Sequence, residues 1–259
     1  MVEREIANNQ HDVFKGTPRP TIARGEEVES VGELTLEQIK EYENNPRITR
    51  NPEFDELKAR MRAAGFFGSL PVTKRPGETV YTVAAGGNTR LQILRELYAE
   101  TGEERFNRIT VSHLKWRGEA FVMASHLAEN MLRAENTFWE KARGFMELRR
   151  LWGEERGQPL SLRAFEGELR NAGFGISLPN LSYFQFTLDH LSDLGGFLAS
   201  ITRNDVRDLQ PSFVALQGLS EALNVEPDAF RAAIVAGNRA FADRFSTGSS
   251  LATDELAHQ

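Results

Sequence analysis

The segment best suited to chemistry is Ala85-Gly86-Gly87-Asn88-Thr89-Arg90, which contains two glycines and follows the apolar run Val80-Tyr81-Thr82-Val83-Ala84. Glycine lets a backbone approach a ligand closely, and the free N–H groups at a helix start attract an anion. Arg90 falls in the first turn of the helical pattern that follows, where its guanidinium would pair with a phosphate. The segment therefore predicts a phosphate site, with a tight turn that binds nothing as the alternative.

A second group of chemically active side chains, Glu129-Asn130-Met131-Leu132-Arg133, ends a later helical pattern. Glu129 and Arg133 are four residues apart, so they share a helix face. A carboxylate beside an amide could hold a magnesium ion against phosphate oxygens, and the arginine would neutralise phosphate charge. The alternative is a surface ion pair worth a few tenths of a kcal/mol.

The elements that must position these residues alternate between strand and helix patterns. Phe54, Leu57 and Met61 share one helical face, and a glycine ends that helix. Two apolar runs separated by a Pro-Gly turn then indicate paired strands. The predicted order is helix 54–64, strand 70–73, strand 80–84, helix 88–99, strand 109–111 and helix 118–130.

After residue 133 the strand patterns end, and helical patterns continue to about residue 245. Helices over 161–169 and 177–185, joined by a glycine-containing turn, fit a helix-turn-helix, although simple helix packing explains the same pattern. The tail is predicted to form helices 206–209, 211–223 and 227–245. The residues predicted to contact DNA are Arg163, Arg170, Ser177, Asn180, Ser182, Tyr183 and Gln185.

Composition narrows the setting. The chain of 259 residues has no cysteine, which excludes disulfides, thiol catalysis and a cysteine zinc site, and favours a reducing cytoplasm. We expect no export signal and no membrane span, because no apolar run is long enough. The net charge of −6 does not by itself indicate a nucleic-acid partner. Its acidic excess lies mainly at the two ends, and residues 34–133 are mildly basic.

The order of these motifs resembles the ParB family of chromosome and plasmid partition proteins over residues 34–190. Asn45-Pro46-Arg47 comes first, and Gly65 with Gly68-x-Leu70-Pro71-Val72 follows. Gly87-Asn88-Thr89-Arg90, Glu129-Asn130-x-x-Arg133 and the helix pair 161–190 complete the match. Within the family the chain looks most like the small ParB-like proteins of integrating conjugative elements.

The resemblance implies an α+β ParB/sulfiredoxin-like domain, then an all-α helix-turn-helix domain and further C-terminal helices. We expect a flexible arm over 1–33, a nucleotide-binding domain over 34–133, a DNA-binding helical domain over 134–190 and a helical region with a frayed end over 191–259. The implied partners are double-stranded DNA, a second copy of the chain and a ParA-type ATPase. The implied location is cytoplasmic, on the nucleoid or the element.

The family's nucleotide site binds CTP and magnesium, and the resemblance carries it to specific residues here. Glu129 is implied as the catalytic residue and, with Asn130, as the magnesium ligand. The nucleotide contacts are Gly86, Gly87, Asn88, Thr89, Arg90, Asn130 and Arg133.

The turn departs from the family pattern. The family turn usually reads Gly-Glu-Arg-Arg-x-Arg, whereas Asn88, Thr89 and Gln92 here replace a glutamate and two arginines. Fewer cations would face the phosphates, so we expect weaker nucleotide binding or a different nucleotide. Asn88 also stands where sulfiredoxin, which shares this fold, has its catalytic cysteine, and this excludes sulfiredoxin chemistry.

Three functions remain open from the sequence. The first is a DNA-binding partition protein gated by CTP, with weak CTPase activity at most. The second is a nucleotide-dependent phosphotransferase or nuclease with Glu129 as base, although His126 beside Glu129 is a poor start for a nuclease metal cluster. The third is a plain DNA-binding regulator whose glycine turn only packs.

Overall fold

The computed structural model describes residues 28–132 and 136–245. Five strands form one mixed sheet in the order β1-β5-β3-β4-β2. β1 pairs with β5 and β3 with β4 in antiparallel register, whereas β3 with β5 and β2 with β4 are parallel. The strands are β1 Val28–Thr35, β2 Ile39–Lys40, β3 Leu70–Thr73, β4 Tyr81–Val83 and β5 Arg108–Leu114.

Three helices complete the sheet's own core: α1 Phe54–Ala64, α2 Asn88–Thr101 and α3 Glu104–Asn107. α1 begins after Asn51, whose side chain accepts a hydrogen bond from the Glu53 N–H at 2.8 Å. Leu70 and Val72 of β3 and Leu91 and Leu94 of α2 are fully buried there. Burying such side chains stabilises the fold by about 2 kcal/mol each.

The rest of the described chain is helical. It comprises six α-helices, the first of which is Glu119–Leu132 (α4), and a 3-10 segment over Ser192–Ala199. Phe145 lies at the centre of this second core, with ring centroids 5.6 Å from Phe174 and 5.8 Å from Phe184. The helices are α4 Glu119–Leu132, α5 Phe138–Glu155, α6 Leu162–Asn171, α7 Leu178–His190, α8 Arg203–Ala222 and α9 Pro227–Phe245.

α4 belongs to this second core, although it lies inside the range 34–133 expected for the nucleotide-binding domain. Its apolar residues, including Val122, Met123 and Leu127, are buried with those of α5, α6 and α7. The sheet and its helices form a separate apolar cluster. α4 therefore joins the two halves of the molecule, with its apolar face committed to the helical half.

The predicted class, an α+β unit followed by helices, is confirmed, and two details are corrected. β1 begins at Val28, so residues 28–33 are part of the sheet and not of the expected arm. The break expected before Pro211 does not occur, and α8 runs through it. Proline there removes one backbone hydrogen bond and typically costs a helix interior about 3 kcal/mol or more, so the helix continues against the local preference of this residue. The rest of the arm and the frayed end lie outside the described residues.

No helix in the described parts of the chain is long and apolar enough to cross a membrane.

Candidate functional site

The site begins where two parallel strands end. β2 and β4 run parallel, so the loops that follow them leave the same edge of the sheet. The amide side chain of Asn88 joins the two loops: its Oδ1 accepts from the Tyr42 N–H at 3.2 Å, and its Nδ2 donates to the Tyr42 carbonyl at 3.0 Å. Both residues are buried, so these bonds form away from water. They fix the loop after β2 beside the glycine turn.

The glycine turn adopts a backbone that only glycine allows without strain. Gly86 has φ 51° and Gly87, the residue before α2, has φ 99°. A Cβ on Gly87 would lie 2.6 Å from Leu70 Cδ1 and 3.2 Å from Arg90 Nη2. The turn therefore packs against Leu70 of β3, and the Arg90 guanidinium lies close to Gly87. The N–H groups at the start of α2 and the Arg90 guanidinium therefore lie beside the same turn, as the binding of one phosphate requires.

The last turn of α4 forms the opposite wall. A Cβ on Gly86 would meet Glu129 Cβ at 3.4 Å and its Oε2 at 3.9 Å, so the carboxylate lies beside the glycine turn. Asn130 Nδ2 donates to Asn45 Oδ1 at 3.4 Å, which connects α4 to the loop after β2. Three segments that are distant in sequence therefore meet at one point.

Together these segments enclose a recess of about 30 Å³. This volume holds one or two waters, whereas ligand pockets measure about 300–1,000 Å³. A nucleotide could enter only after one wall moved. The lining residues are Asn45, Arg47, Leu57, Gly86, Gly87, Asn88, Thr89, Arg90, His126, Glu129 and Asn130.

His126 is a packed residue at the base of the recess. Its Nε2 lies 3.1 Å from the Val83 carbonyl, so this nitrogen carries the proton and donates it. The ring stacks on Tyr42 with centroids 4.8 Å apart. Burial lowers the pKa of His126 to about 4, partly offset by the bond to Val83, so the ring is neutral at pH 7. The ring is buried and its Nε2 is already bonded, so His126 offers no accessible metal ligand, and this weakens the nuclease alternative.

The donor set suits magnesium better than a metal that needs histidine. Among residues 28–132 and 136–245, no group of three or more His, Asp or Glu side chains is placed to hold a metal ion. Glu129 and the amides of Asn45 and Asn130 supply oxygen ligands from few protein groups. Magnesium commonly keeps several waters and takes the rest of its ligands from phosphate.

The predicted nucleotide contacts that lie in the described chain all line the recess. They are Gly86, Gly87, Asn88, Thr89, Arg90, Glu129 and Asn130, and Arg133 lies outside the described residues. The Asn88 side chain is directed at Tyr42, so Asn88 faces a ligand with its backbone. Sequence reasoning left Asn45 and Arg47 out of the site, although the Asn45-Pro46-Arg47 motif, which lies in the loop after β2, could have indicated them.

The predicted DNA-contact residues are divided by the structure into two groups. Arg163, Arg170 and Ser177 are exposed, and Ser182 and Tyr183 are half-buried. Asn180 is buried and accepts a bond from Arg203 Nε at 2.7 Å.

Gln185 is also committed to internal contacts. Its Oε1 accepts from Arg149 at 2.6 Å, and its Nε2 donates to Asp189 at 2.7 Å. Asn180 and Gln185 therefore hold neighbouring side chains in place. Arg163, Arg170, Ser177, Ser182 and Tyr183 remain accessible to a partner.

Two arginines on α8 extend the surface beside α7. The Arg203 guanidinium lies 5.3 Å from the centroid of the Tyr183 ring, and Arg207 is one helical turn further on. Arg207 is half-exposed and pairs with Asp208 at 2.8 Å. Asp205 and Asp208 balance the charge of the two arginines in the sequence, so the charge pattern there gave no signal for this surface.

The comparisons with known proteins bear on the fold. No protein-family model matches the chain, and no curated protein matches it. A structure of the pNOB8-like ParB-N domain has a TM-score of 0.54 and 12% identity, covering 84% of this chain and 96% of the domain. A second structure of the pNOB8-like ParB N-domain has a TM-score of 0.53 and 13% identity, covering 88% and 94%. The resemblance drawn from the sequence is thus confirmed for the fold.

A third structure is more distant. The C-terminally truncated chromosome-partitioning protein ParB from Caulobacter crescentus, complexed with CTP-gamma-S, has a TM-score of 0.33 and 16% identity. It covers 84% of this chain and 99% of its own. A TM-score this low supports no inference about the site.

Replacing His126 with glutamine should reduce the loss of stability in acid. In the unfolded chain the pKa is about 6.5, and in the folded chain it is about 4. The unfolded state therefore takes up a proton first, and stability is lost as the pH falls from about 7 towards 4. Between pH 7 and 5 the wild type should lose about 2 kcal/mol more than His126→Gln. Urea unfolding at both pH values measures this, and equal losses would contradict the burial of His126.

Replacing Asn88 with alanine should destabilise the fold by about 3 kcal/mol, because the Tyr42 N–H and carbonyl would lose their buried partners. Asn107→Ala is the matched control, since within the described chain the Asn107 amide bonds to exposed Glu104 alone. It should change stability by less than about 0.5 kcal/mol. Chemical denaturation of both variants measures the difference, and equal values would show that Asn88 does not join the loops.

Proposed function

We propose that this chain is a ParB-like DNA-binding protein that serves the partition or maintenance of a mobile element, and that its recess is the site of CTP and magnesium. One observation carries the proposal: the glycine turn, the end of α4 and the Asn-Pro-Arg loop meet at one point on a fold shared with ParB N-domains. These are three of the five motifs from which the resemblance was drawn, and they are distant in sequence. Their meeting supports a common ligand.

The side chains at the recess suit the two parts of such a ligand. The N–H groups of the glycine turn, Thr89 and the Arg90 guanidinium would bind phosphate oxygens. Glu129 and Asn130 would hold magnesium, which would offset the phosphate charge when bound. Glu129 is also the residue that could orient a water for slow hydrolysis.

The volume of the recess favours a second candidate, a DNA-binding regulator without a nucleotide. A recess of about 30 Å³ admits no nucleotide as it stands, and Asn88 is engaged with Tyr42. In that case the glycine turn only packs against β3 and α4. The two candidates share the DNA-binding surface and differ in whether the recess opens.

The proposed partner at the helical half is double-stranded DNA. α7 would present its N-terminal half to DNA, with Ser177, Ser182 and Tyr183 accessible, and the arginines of α6 and α8 would neutralise phosphates on either side. A second copy of the chain and a ParA-type ATPase are part of the same proposal. So is a cytoplasmic location on the nucleoid or the element.

Calorimetric titration with CTP, ATP, GTP and UTP in magnesium, with and without DNA from the element, tests the nucleotide. Arg90→Ala should weaken nucleotide binding by at least about 30-fold, because it removes a charge-assisted contact. It should leave DNA binding without nucleotide largely intact. Arg60→Ala is the control: it removes the same charge from the exposed face of α1, where Arg60 pairs with Glu56 at 3.8 Å.

The outcomes separate the candidates. Selective CTP binding that Arg90→Ala weakens at least about 30-fold and Arg60→Ala leaves unchanged supports the CTP site. Nucleotide affinity retained in Arg90→Ala would remove the proposed pocket. DNA binding by a wild type that binds no nucleotide would select the plain regulator.

Arg207→Ala should weaken DNA binding about fivefold at 0.1 M salt and lower the salt dependence by about one released counterion. Arg231→Ala serves as the control, because Arg231 lies on α9 beside Asp189 and His190, at the far end of α7. Fluorescence anisotropy over a series of salt concentrations measures both. Equal slopes for the two variants would place the DNA surface elsewhere.

A further inference from the structure

A buried carboxylate, Glu140, joins the loop at the recess to the first long helix of the helical half. Its Oε1 accepts three hydrogen bonds at 2.8 Å, from the Ile48 N–H, the Thr49 N–H and the Thr49 hydroxyl. Its Oε2 accepts from the Thr137 N–H at 2.9 Å and caps its own helix, α5. The Glu140 side chain is fully buried, so both sets of bonds are protected from water. One oxygen thus holds the loop and the other holds the helix.

One turn later on α5, a glycine provides space for the same loop. A Cβ on Gly144 would lie 2.9 Å from Pro46 Cβ and 2.7 Å from Leu127 Cδ2. Pro46 therefore packs directly on the α5 backbone. We call Glu140 and Gly144 the loop seat. The loop is fixed to α5 by hydrogen bonds at one turn and by close packing at the next.

The three walls of the recess differ in how freely they can move. The glycine turn packs on β3 in the sheet's core, and α4 is buried along its apolar face in the helical core. The third wall is the loop with Asn45 and Arg47, which has no regular structure and is half-buried. Because the recess is too small for a nucleotide, a nucleotide would have to displace this loop. Such a displacement acts on the loop seat and hence on α5.

We propose that Glu140 is a positioning residue that couples nucleotide binding at the recess to the DNA-binding helices, through the hydrogen bonds that fix the Asn45–Thr49 loop to α5. The inference rests on the proposed function and adds a route to it. α5 packs directly on α7, with Phe145 stacked on Phe184. A change at the loop seat therefore reaches the helix that would contact DNA. The coupling is the factor by which nucleotide changes DNA affinity.

Glu140→Gln is the principal test, because glutamine has the same shape and only one acceptor oxygen. Its amide nitrogen would face either the loop N–H groups or that of Thr137, so one set of bonds is lost. DNA affinity with and without CTP and magnesium gives the coupling factor, and calorimetry gives nucleotide affinity. Glu140→Gln should reduce the coupling to less than about twofold. Hydrogen exchange at Ile48 and Thr49 should accelerate at least about tenfold where the loop-side bonds are lost.

Two further variants separate positioning from stability. Thr137→Ala removes the cap hydroxyl on the helix side and leaves the loop bonds, so it should destabilise α5 and keep the wild-type coupling. Thr49→Val removes a single loop-side bond and should reduce the coupling partly, which keeps the test valid if Glu140→Gln does not fold.

The results distinguish this inference from the proposed function. Wild-type coupling in Glu140→Gln and Thr49→Val would overturn the role of Glu140 and leave the nucleotide site standing. A wild type that binds CTP with no effect on its DNA affinity would also overturn the role of Glu140 and leave the nucleotide site standing. A wild type that binds no nucleotide would remove the nucleotide site itself, and the coupling with it. Loss of coupling in Thr137→Ala equal to that in Glu140→Gln would assign the effect to helix stability.

Discussion

Two hydrogen bonds between the Asn88 amide and the backbone of Tyr42 are the interaction on which the site depends. β2 has only two residues, Ile39 and Lys40, so its ladder with β4 cannot by itself fix a long loop. The Asn88 amide supplies both the donor and the acceptor that the Tyr42 peptide groups need in a buried place. It thereby sets where the Asn-Pro-Arg loop begins relative to the glycine turn. The end of the same loop is fixed by Glu140, so the segment that closes the recess is held at both ends by buried polar side chains.

The recess lies at the boundary between two apolar cores, which is why its side chains can be polar and yet well positioned. α4 contributes Val122 and Leu127 to the helical core and directs His126 and Glu129 at the sheet. The site therefore has two supports, the packed cores of the sheet and of the helical half, and one loop between them. A ligand that moves the loop can change the position of one support relative to the other. Rearrangements of this kind occur at junctions between rigid parts and not within a close-packed core.

The sequence predicted the regular parts of this fold well because their signals are local. Hydrophobic periodicity located α1, α2 and the β3–β4 hairpin, and the structure contains the capping box for which Thr137 and Glu140 have the sequence spacing. What it could not give were the long-range partners. The second role of Glu140 depends on a loop some ninety residues away, and the burial of Asn180 and its bond from Arg203 likewise come from tertiary packing. β1 was missed because its alternation is weak at an exposed sheet edge. Pro211 led to a wrong boundary because proline strongly disfavours a helix interior, whereas the structure continues α8 through it.

The departure of the glycine turn from the ParB pattern has a structural reason. Asn88, in place of the family glutamate, is directed inward to Tyr42. Gln92, in place of a family arginine, donates to Glu41 at 2.8 Å. Thr89 and Gln92, which replace the two family arginines, are uncharged and contribute no cation to the recess, and within the described chain the guanidinium groups that line it are those of Arg47 and Arg90. Phosphate affinity at such a site rises with the number of cations that face it, because the attractions add. Recognition here would depend more on backbone N–H groups, magnesium and the opening of the loop, and those are the terms through which the recess and the loop seat would act together.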